Sequence, residues 1–237
     1  IFVVDKGDAK VKVVDLVSLD IISDIETGFS TRPVFIVSNS YKSYVLNGGG
    51  GSEKIKDSTV VVIEYRDGLV ALANFSGNLF VEDNPNSAVF SINGLLNVLC
   101  QGIYDSINSM NNTESSFSNI NQYSNEVYST NTLTGIYNAQ NLISNWNNSV
   151  NYLTAEGGVY RFDPNSLNLD LIVSVNSSVI NTTIESLVVN DSTTLYSKML
   201  YMNDENFPNS IYKYNLDLSL FIDTIIVDFP VKDIAFY

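Results

Sequence analysis

Apolar positions along the chain recur in short runs rather than at helical spacing. Ile1–Val4, Val11–Val14, Ile21–Ile25, Val34–Val37, Tyr44–Leu46, Thr59–Tyr65, Leu69–Phe75 and Val89–Ile92 are rich in Val, Ile, Tyr and Phe, and Gly, Asn, Asp or Pro bounds each run. The pattern resumes with Leu142–Ser144, Val150–Thr154, Val159–Phe162, Leu169–Val175, Ile184–Val189, Leu195–Tyr201, Ile211–Tyr214, Phe221–Val227 and Ile234–Tyr237. Arg66-Asp67-Gly68, Ser76-Gly77-Asn78 and Glu156-Gly157-Gly158 are turn signals between neighbouring runs. Many short strands at roughly ten-residue spacing, with no long helical stretch, predict an all-β sandwich, barrel or propeller. Ser106–Asn125 reads as a long loop.

An internal repeat narrows the choice. Val11–Leu16, Leu19–Ile25 and Pro33–Val37 are echoed by Ile211–Asp217, Ile222–Ile226 and Pro230–Phe236. Each set is a strand ending in an Asp or Asn turn, a second apolar strand, and a Pro-led strand that opens the next unit. Val159–Pro164 followed by Leu169–Val175 is a weaker third copy.

Over Ile1–Asn47 this pattern resembles the repeat of YVTN-type β-propellers, with Tyr44-Val45-Leu46-Asn47 at the name-giving motif and Leu46 where the family has threonine. The resemblance is weaker over Val159–Tyr237 and poor over Asn78–Asn138. It implies a ring of four-stranded antiparallel blades, used by the family mostly for binding in extracellular and surface-layer proteins. The chain ends are complementary on this reading. Val231–Tyr237 would be the innermost strand of a blade and Ile1–Val4 the second strand of the same blade, so their pairing would close the ring and remove exposed edges. Typical repeat lengths give about five blades, or six if Asn78–Asn138 holds two. The expected organisation is one propeller domain over residues 1–237, with an irregular, loop-rich insertion around 106–125.

Composition then excludes several functions. The 237 residues carry 26 acidic and 12 basic side chains, a formal charge of −14, so nucleic acid and anionic lipid heads are repelled. With no histidine, Ser-His-Asp and Cys-His catalysis and histidine metal sites are absent from the inventory. The one cysteine, Cys100, lies in the apolar run Leu95–Cys100 and reads as a buried small hydrophobe. No apolar run approaches the roughly 18 residues of a membrane span, so no direct membrane insertion is expected. The chain opens on Ile1 with no signal-like segment and reads as a processed form or a piece of something longer.

Candidate chemistry is sparse. Glu64, Asp67, Glu82, Asp83 and Glu156 are the acids from which a glycosidase-type pair could be drawn, but no spacing brings two together. Asp163-Pro164-Asn165 and Asp204-Glu205-Asn206 could offer oxygen ligands to calcium, yet read more simply as turns. Gly48–Ser52 lacks the Lys-Ser/Thr of a phosphate loop and reads as a flexible hairpin insertion. No cofactor is expected.

Six Asn-x-Ser/Thr acceptors occur, at Asn74, Asn111, Asn147, Asn176, Asn181 and Asn190. All but Asn74 fall in predicted loops or strand ends, where a glycan could be attached. Of the 14 tyrosines, most suit strands, but Tyr104, Tyr123, Tyr128 and Tyr137 with Trp146 lie outside the regular runs and form a candidate interface. These features together lead us to expect a non-catalytic, extracellular propeller at a cell surface or on a virion. Its loops would present a surface to a protein or glycan partner as part of a larger assembly. The expected partner surface is the irregular segment Asn78–Asn138, because binding loops vary while scaffold strands do not. A carbohydrate-active enzyme built on a carboxylate pair is the alternative.

Overall fold

The computed structural model describes the chain except residues 29–30, 50–56, 67–68, 73–77, 106, 146–147, 149, 175–178, 186–198, 205, 232–233 and 235–237, and the side chains of 65–66, 69–72, 179–185 and 204. The described residues form five antiparallel sheets that follow one another along the chain. The first comprises β1 (Phe2–Asp5), β2 (Lys10–Val14) and β3 (Ile21–Glu26). The second has β4 (Pro33–Ser38), β5 (Lys42–Asn47), β6 (Thr59–Arg66) and β7 (Leu69–Leu72), with β8 (Leu79–Phe80) also pairing with β6. The third has β9 (Pro85–Phe90), β10 (Leu95–Cys100), β11 (Ser116–Asn121) and β12 (Glu126–Thr132). The fourth has β13 (Gln140–Ser144), β14 (Asn151–Ala155), β15 (Gly158–Asp163) and β16 (Asn168–Ser174). The fifth has β17 (Val179–Glu185), β18 (Met199–Asp204), β19 (Phe207–Asn215) and β20 (Leu220–Ile226). Strand order in every sheet is sequential, the up-and-down meander of a propeller blade. Among the described residues no helix is long and apolar enough to cross a membrane.

Two compact units divide the chain, Ile1–Asn138 and Ala139–Tyr237. In the first, alternate side chains of one strand enter two different cores. Tyr44 and Leu46 of β5 and Val60 and Val62 of β6 pack with Ala88, Leu96, Val98, Cys100 and Ile120 of the third sheet. Val45, Val61 and Ile63 point the other way, onto Val11 of the first sheet. Because side chains alternate across a strand, a strand covered on both faces must be apolar at every position, which is why Val60–Ile63 is an unbroken run. In the second unit, Val159 and Val173 of the fourth sheet pack on Leu200, Met202 and Tyr214 of the fifth.

The repeat is visible as one hairpin that occurs five times among the described residues: at the end of β1, where Asp5 Oδ1 accepts from Gly7 at 3.0 Å and Asp8 at 3.2 Å and Ala9, four residues on, is left-handed, and four times more. At the end of β2, β11, β15 and β19 a short polar side chain takes the backbone N–H groups or side chains just ahead of it. Asp15 Oδ1 accepts from Val17 and Ser18, both at 2.8 Å, and Asn121 Oδ1 accepts from Tyr123 at 2.8 Å and Ser124 at 3.2 Å. Asp163 accepts from the Asn165 N–H at 2.9 Å and the Ser166 hydroxyl at 2.8 Å, and Asn215 accepts from Asp217 and Leu218 at 3.0 and 2.8 Å. Four residues after each of these, the chain turns through a left-handed residue, Leu19, Asn125, Leu167 or Ser219. Asx turns of this kind let an ordinary residue enter a region otherwise left to glycine. A cross-strand ion pair recurs with the hairpin. Lys12 faces Asp24 and Arg161 faces Asp170, while Lys213 stands opposite Asp223 in the same register.

Several expectations are corrected. Ser116–Asn121, expected within the 106–125 loop, is the buried strand β11, paired on both sides with β10 and β12. The loop is thereby confined to residues 101–115. The segment Asn78–Asn138, read as irregular, contains a complete four-stranded sheet with the repeated hairpin. The expected closing strand at Val231–Tyr237 falls largely on residues outside those described. Val231 itself is not in a strand and is held by its N–H to Pro208 O at 2.7 Å.

Candidate interaction surface

Between β10 and β11 the chain leaves the third sheet and returns through residues 101–115. The excursion begins at Gly102, whose φ of +78° and crowding by Thr113 O, 2.6 Å from where a Cβ would stand, leave room for glycine alone. Asn84 clamps this start, accepting the Gln101 N–H at its carbonyl (2.9 Å) and donating from Nδ2 to Gly102 O (2.8 Å). The two arms then pair with each other, Ile103 N to Thr113 Oγ1 at 2.7 Å and Thr113 N to Ile103 O at 3.0 Å. The return arm is fixed by Ser115, which donates its hydroxyl to Gln101 O and its N–H to Ile136 O, both at 2.8 Å.

Asp105 organises the tip. It is only 4 % exposed, and its Oδ1 accepts the N–H groups of Ile107 and Asn108, both at 2.8 Å, while Oδ2 accepts from Asn111 Nδ2 at 2.8 Å. Its own N–H donates to Asn112 Oδ1 at 2.6 Å. A short 3₁₀ turn, Ser109–Asn111, follows with Asn108 as its cap. A buried carboxylate satisfied by this set of charge-assisted hydrogen bonds ties the described residues of the tip together. Beyond this framework project two apolar side chains, Ile107 and Met110, 93 % and 92 % exposed.

The tyrosines expected to form one interface are divided. Tyr104 lies in the loop's outgoing arm, and Tyr137 follows Ile136, whose carbonyl holds the return arm, so both belong to this end of the third sheet and both are half-buried. Tyr123 is 89 % exposed in the β11–β12 turn, at the opposite end, and Tyr128 projects from the outer strand β12. Trp146 lies outside the described residues. At Tyr123's end the β4–β5, β9–β10 and β11–β12 turns expose Tyr41, Ile92 and Tyr123, with Asn39 Nδ2 donating to Gln122 Oε1 at 3.1 Å.

Of the glycan acceptors, Asn111 sits at the exposed loop tip with its amide tied to Asp105. Asn181 lies inside β17 rather than in the expected loop, and its side chain is outside the described set. Asn74, Asn147, Asn176 and Asn190 also lie outside the described residues. The candidate acids are equally scattered. Glu64 is on β6 and pairs with Lys42 at 3.5 Å, Glu82 and Asp83 share the bend after β8, Glu156 sits in the β14–β15 turn, and Asp67 is not among the described residues. Asp163, considered for calcium, spends its oxygens on its own turn. Asp204 and Glu205 lie outside the described side chains. Cys100 is fully buried, and burial, the largest cause, pushes its thiol up to about 12. It serves as a core hydrophobe.

Sequence reasoning missed Asp105, Ile107 and Met110. The available signal was Asp105 followed by Asn108, an Asx-turn pattern, just after Gly102.

No family model matches the chain, and no curated protein matches it either. Solved structures do. A structure of hydrazine synthase from Kuenenia stuttgartiensis, a propeller-containing protein, superposes with a TM-score of 0.71 over 98 % of this chain and 72 % of that one. The fold is therefore all-β and propeller-like. Identity is 13 %, and 499 solved chains match, so the likeness establishes the architecture and carries no activity across.

Proposed function

We propose that this chain is a non-catalytic propeller module of the YVTN type, one domain over residues 1–237, that binds a protein or glycan partner outside the cell. The loop 101–115 is its contact surface. The observation that carries this reading is the contrast within the loop, a buried and fully bonded Asp105 beneath the almost wholly exposed Ile107 and Met110. An apolar pair on a pre-ordered loop loses little conformational freedom on binding, which favours use as a contact. The five like hairpins among the described residues support the repeat. The low charged share of 16 % and the sequon at the loop tip support an extracellular, glycan-bearing surface of a cell envelope or a virus particle.

The test uses the full chain on a glycan array and on envelope or particle preparations from the source organism. Saturable binding lost in the Ile107→Ser/Met110→Ser variant, without glycan turnover, is the expected result. Binding unchanged in that variant, or catalytic cleavage of a glycan, overturns the assignment.

A further inference from the structure

Lys42 opens β5, and its side chain is turned into the protein rather than toward water. Nζ lies 2.8 Å from Gln122 O, 2.9 Å from Asn125 Oδ1 and 3.5 Å from Glu64 Oε1. The Lys42 and Glu64 side chains are 16 % and 18 % exposed. The fold dictates this meeting. Lys42 and Glu64 are cross-strand partners on β5 and β6, and Asn125 is the left-handed residue that ends the β11–β12 turn, with φ of 55°. Tyr44, on the same face as Lys42, directs its hydroxyl to Asn125 Oδ1 at 3.4 Å and to Gln122 O at 3.4 Å. Burial first, and then the charge of Glu64, push the Tyr44 phenol up to about 12, so it remains a proton donor.

An amine held against a carboxamide carbonyl, with a carboxylate beside the amine and a hydroxyl on the carbonyl oxygen, is the reactant set for amide exchange. We propose that Lys42 and Asn125 join through an intramolecular isopeptide bond, with Glu64 as proton carrier. The Lys42 ammonium gives a proton to Glu64, and the freed lone pair of Nζ attacks Asn125 Cγ. Negative charge gathers on Oδ1, where the Tyr44 hydroxyl stabilises it. Glu64 returns the proton to Nδ2, the Cγ–Nδ2 bond breaks, and ammonia departs, leaving with the remaining proton as ammonium. One C–N bond forms and one breaks, and nothing is oxidised or reduced. Contact between the reacting groups in the folded state supplies the proximity that a free lysine and asparagine lack. The product would tie the second sheet to the third and close a loop between residues 42 and 125 in the unfolded chain, lowering its entropy in the manner of a disulfide.

A lysine that merely caps a turn would make the same hydrogen bonds, so the test reads covalent structure. Full-length protein is held at neutral pH, then measured by intact mass and by sequencing of its proteolytic peptides. The expected result is a chain lighter by one ammonia and a branched peptide joining Lys42 to Asn125. That peptide is absent from Lys42→Arg, which keeps the charge and the turn contacts, and from Glu64→Gln, with circular dichroism confirming that each variant is folded. Unlinked Lys42 and Asn125 peptides in folded wild type overturn the bond. A branched peptide that persists in folded Glu64→Gln overturns the role of Glu64. If Glu64→Gln does not fold, Glu64→Asp replaces it, and slower linkage is expected.

Discussion

Asn111 donates from its side-chain amide to Asp105 Oδ2 at 2.8 Å, linking the exposed tip of the 101–115 loop to the buried carboxylate beneath it. The same amide nitrogen is a glycan acceptor by sequence. It carries two hydrogens, so attachment of a sugar leaves one for Asp105. The loop can thus be glycosylated and ordered at once.

Replacing Asp105 with alanine removes the acceptor of three hydrogen bonds and leaves the Ile107 and Asn108 N–H groups without partners. A hydrogen bond to a charged acceptor is worth roughly 1.5–3 kcal/mol. The cost falls locally, because β10 and β11 keep their own ladder. Hydrogen exchange should therefore show lost protection over 103–113 with little change at β10 and β11. Unchanged protection at Ile107 and Asn108 would count against the loop's architecture.

Acid should loosen some hairpins and spare others. The Ser18 and Val17 N–H groups hold Asp15 below its usual 3.8, and the Asn165 N–H and Ser166 hydroxyl do the same for Asp163. With the folded value below the unfolded one, the turn's stabilisation is complete above about pH 4 and is lost as pH falls through the folded value. Asn121 and Asn215 head the equivalent turns and do not titrate. Amide shifts followed from about pH 6 to about pH 2 should move at Val17, Ser18 and Asn165 and stay level at Tyr123 and Leu218 apart from global unfolding.

Glycine substitutions separate steric need from backbone preference. At Gly158 an added Cβ would stand 1.9 Å from Val173 O with φ at +150°, so Gly158→Ala should destabilise the chain by more than ~2 kcal/mol. At Gly135, φ is +77° and nothing lies within 4 Å, so Gly135→Ala should cost only about 1 kcal/mol. Denaturant midpoints of the two variants make the comparison. Equal shifts would mean that the β15–β16 register at Gly158 is wrong.

Two Asn-Gly pairs differ in surroundings. Asn47 is fully buried at the end of β5, with Nδ2 bonded to Thr59 Oγ1 at 3.0 Å, whereas Asn93 lies in the exposed β9–β10 turn. Deamidation needs the following N–H to reach the side-chain carbonyl carbon, which an exposed turn permits and a paired strand does not. Peptide mass spectrometry after mild alkaline ageing should find aspartate and isoaspartate at Asn93 and intact Asn47.

Much of the fold was legible where strands are apolar on both faces, as at Val60–Ile63, or where Asp and Asn mark turns, as at Asp15, Asp163 and Asn215. In the third sheet only the runs Val89–Ile92 and Leu95–Cys100 were legible, and β11 and β12 were not. β11 reads Ser-Phe-Ser-Asn-Ile-Asn and is polar by composition, yet it is buried because its neighbours satisfy it. Ser118 bonds Thr130 Oγ1 and Asn119 bonds Ser129 Oγ, both at 2.9 Å across to β12. Hydropathy cannot register a polar strand whose partners are themselves polar. Tyrosine count likewise carries no information on which end of a sheet each tyrosine occupies. Hydropathy is also silent on Asp105, whose part in the loop depends on Asn111 and Asn112 returning to meet it.

The corrected strand assignment also decides how the proposed contact surface must be tested. Deleting 106–125 would remove β11 from the core, so the tip alone should be changed. The most direct measurement is the affinity of the full chain for the proposed envelope, particle or glycan target, compared between wild type and Ile107→Ser/Met110→Ser, with Tyr41→Ser as the control at the opposite end of the first unit. We predict at least tenfold weaker binding for the loop variant and wild-type affinity for the control, with both variants folded. Wild-type affinity in the loop variant, or loss confined to Tyr41→Ser, would contradict the account.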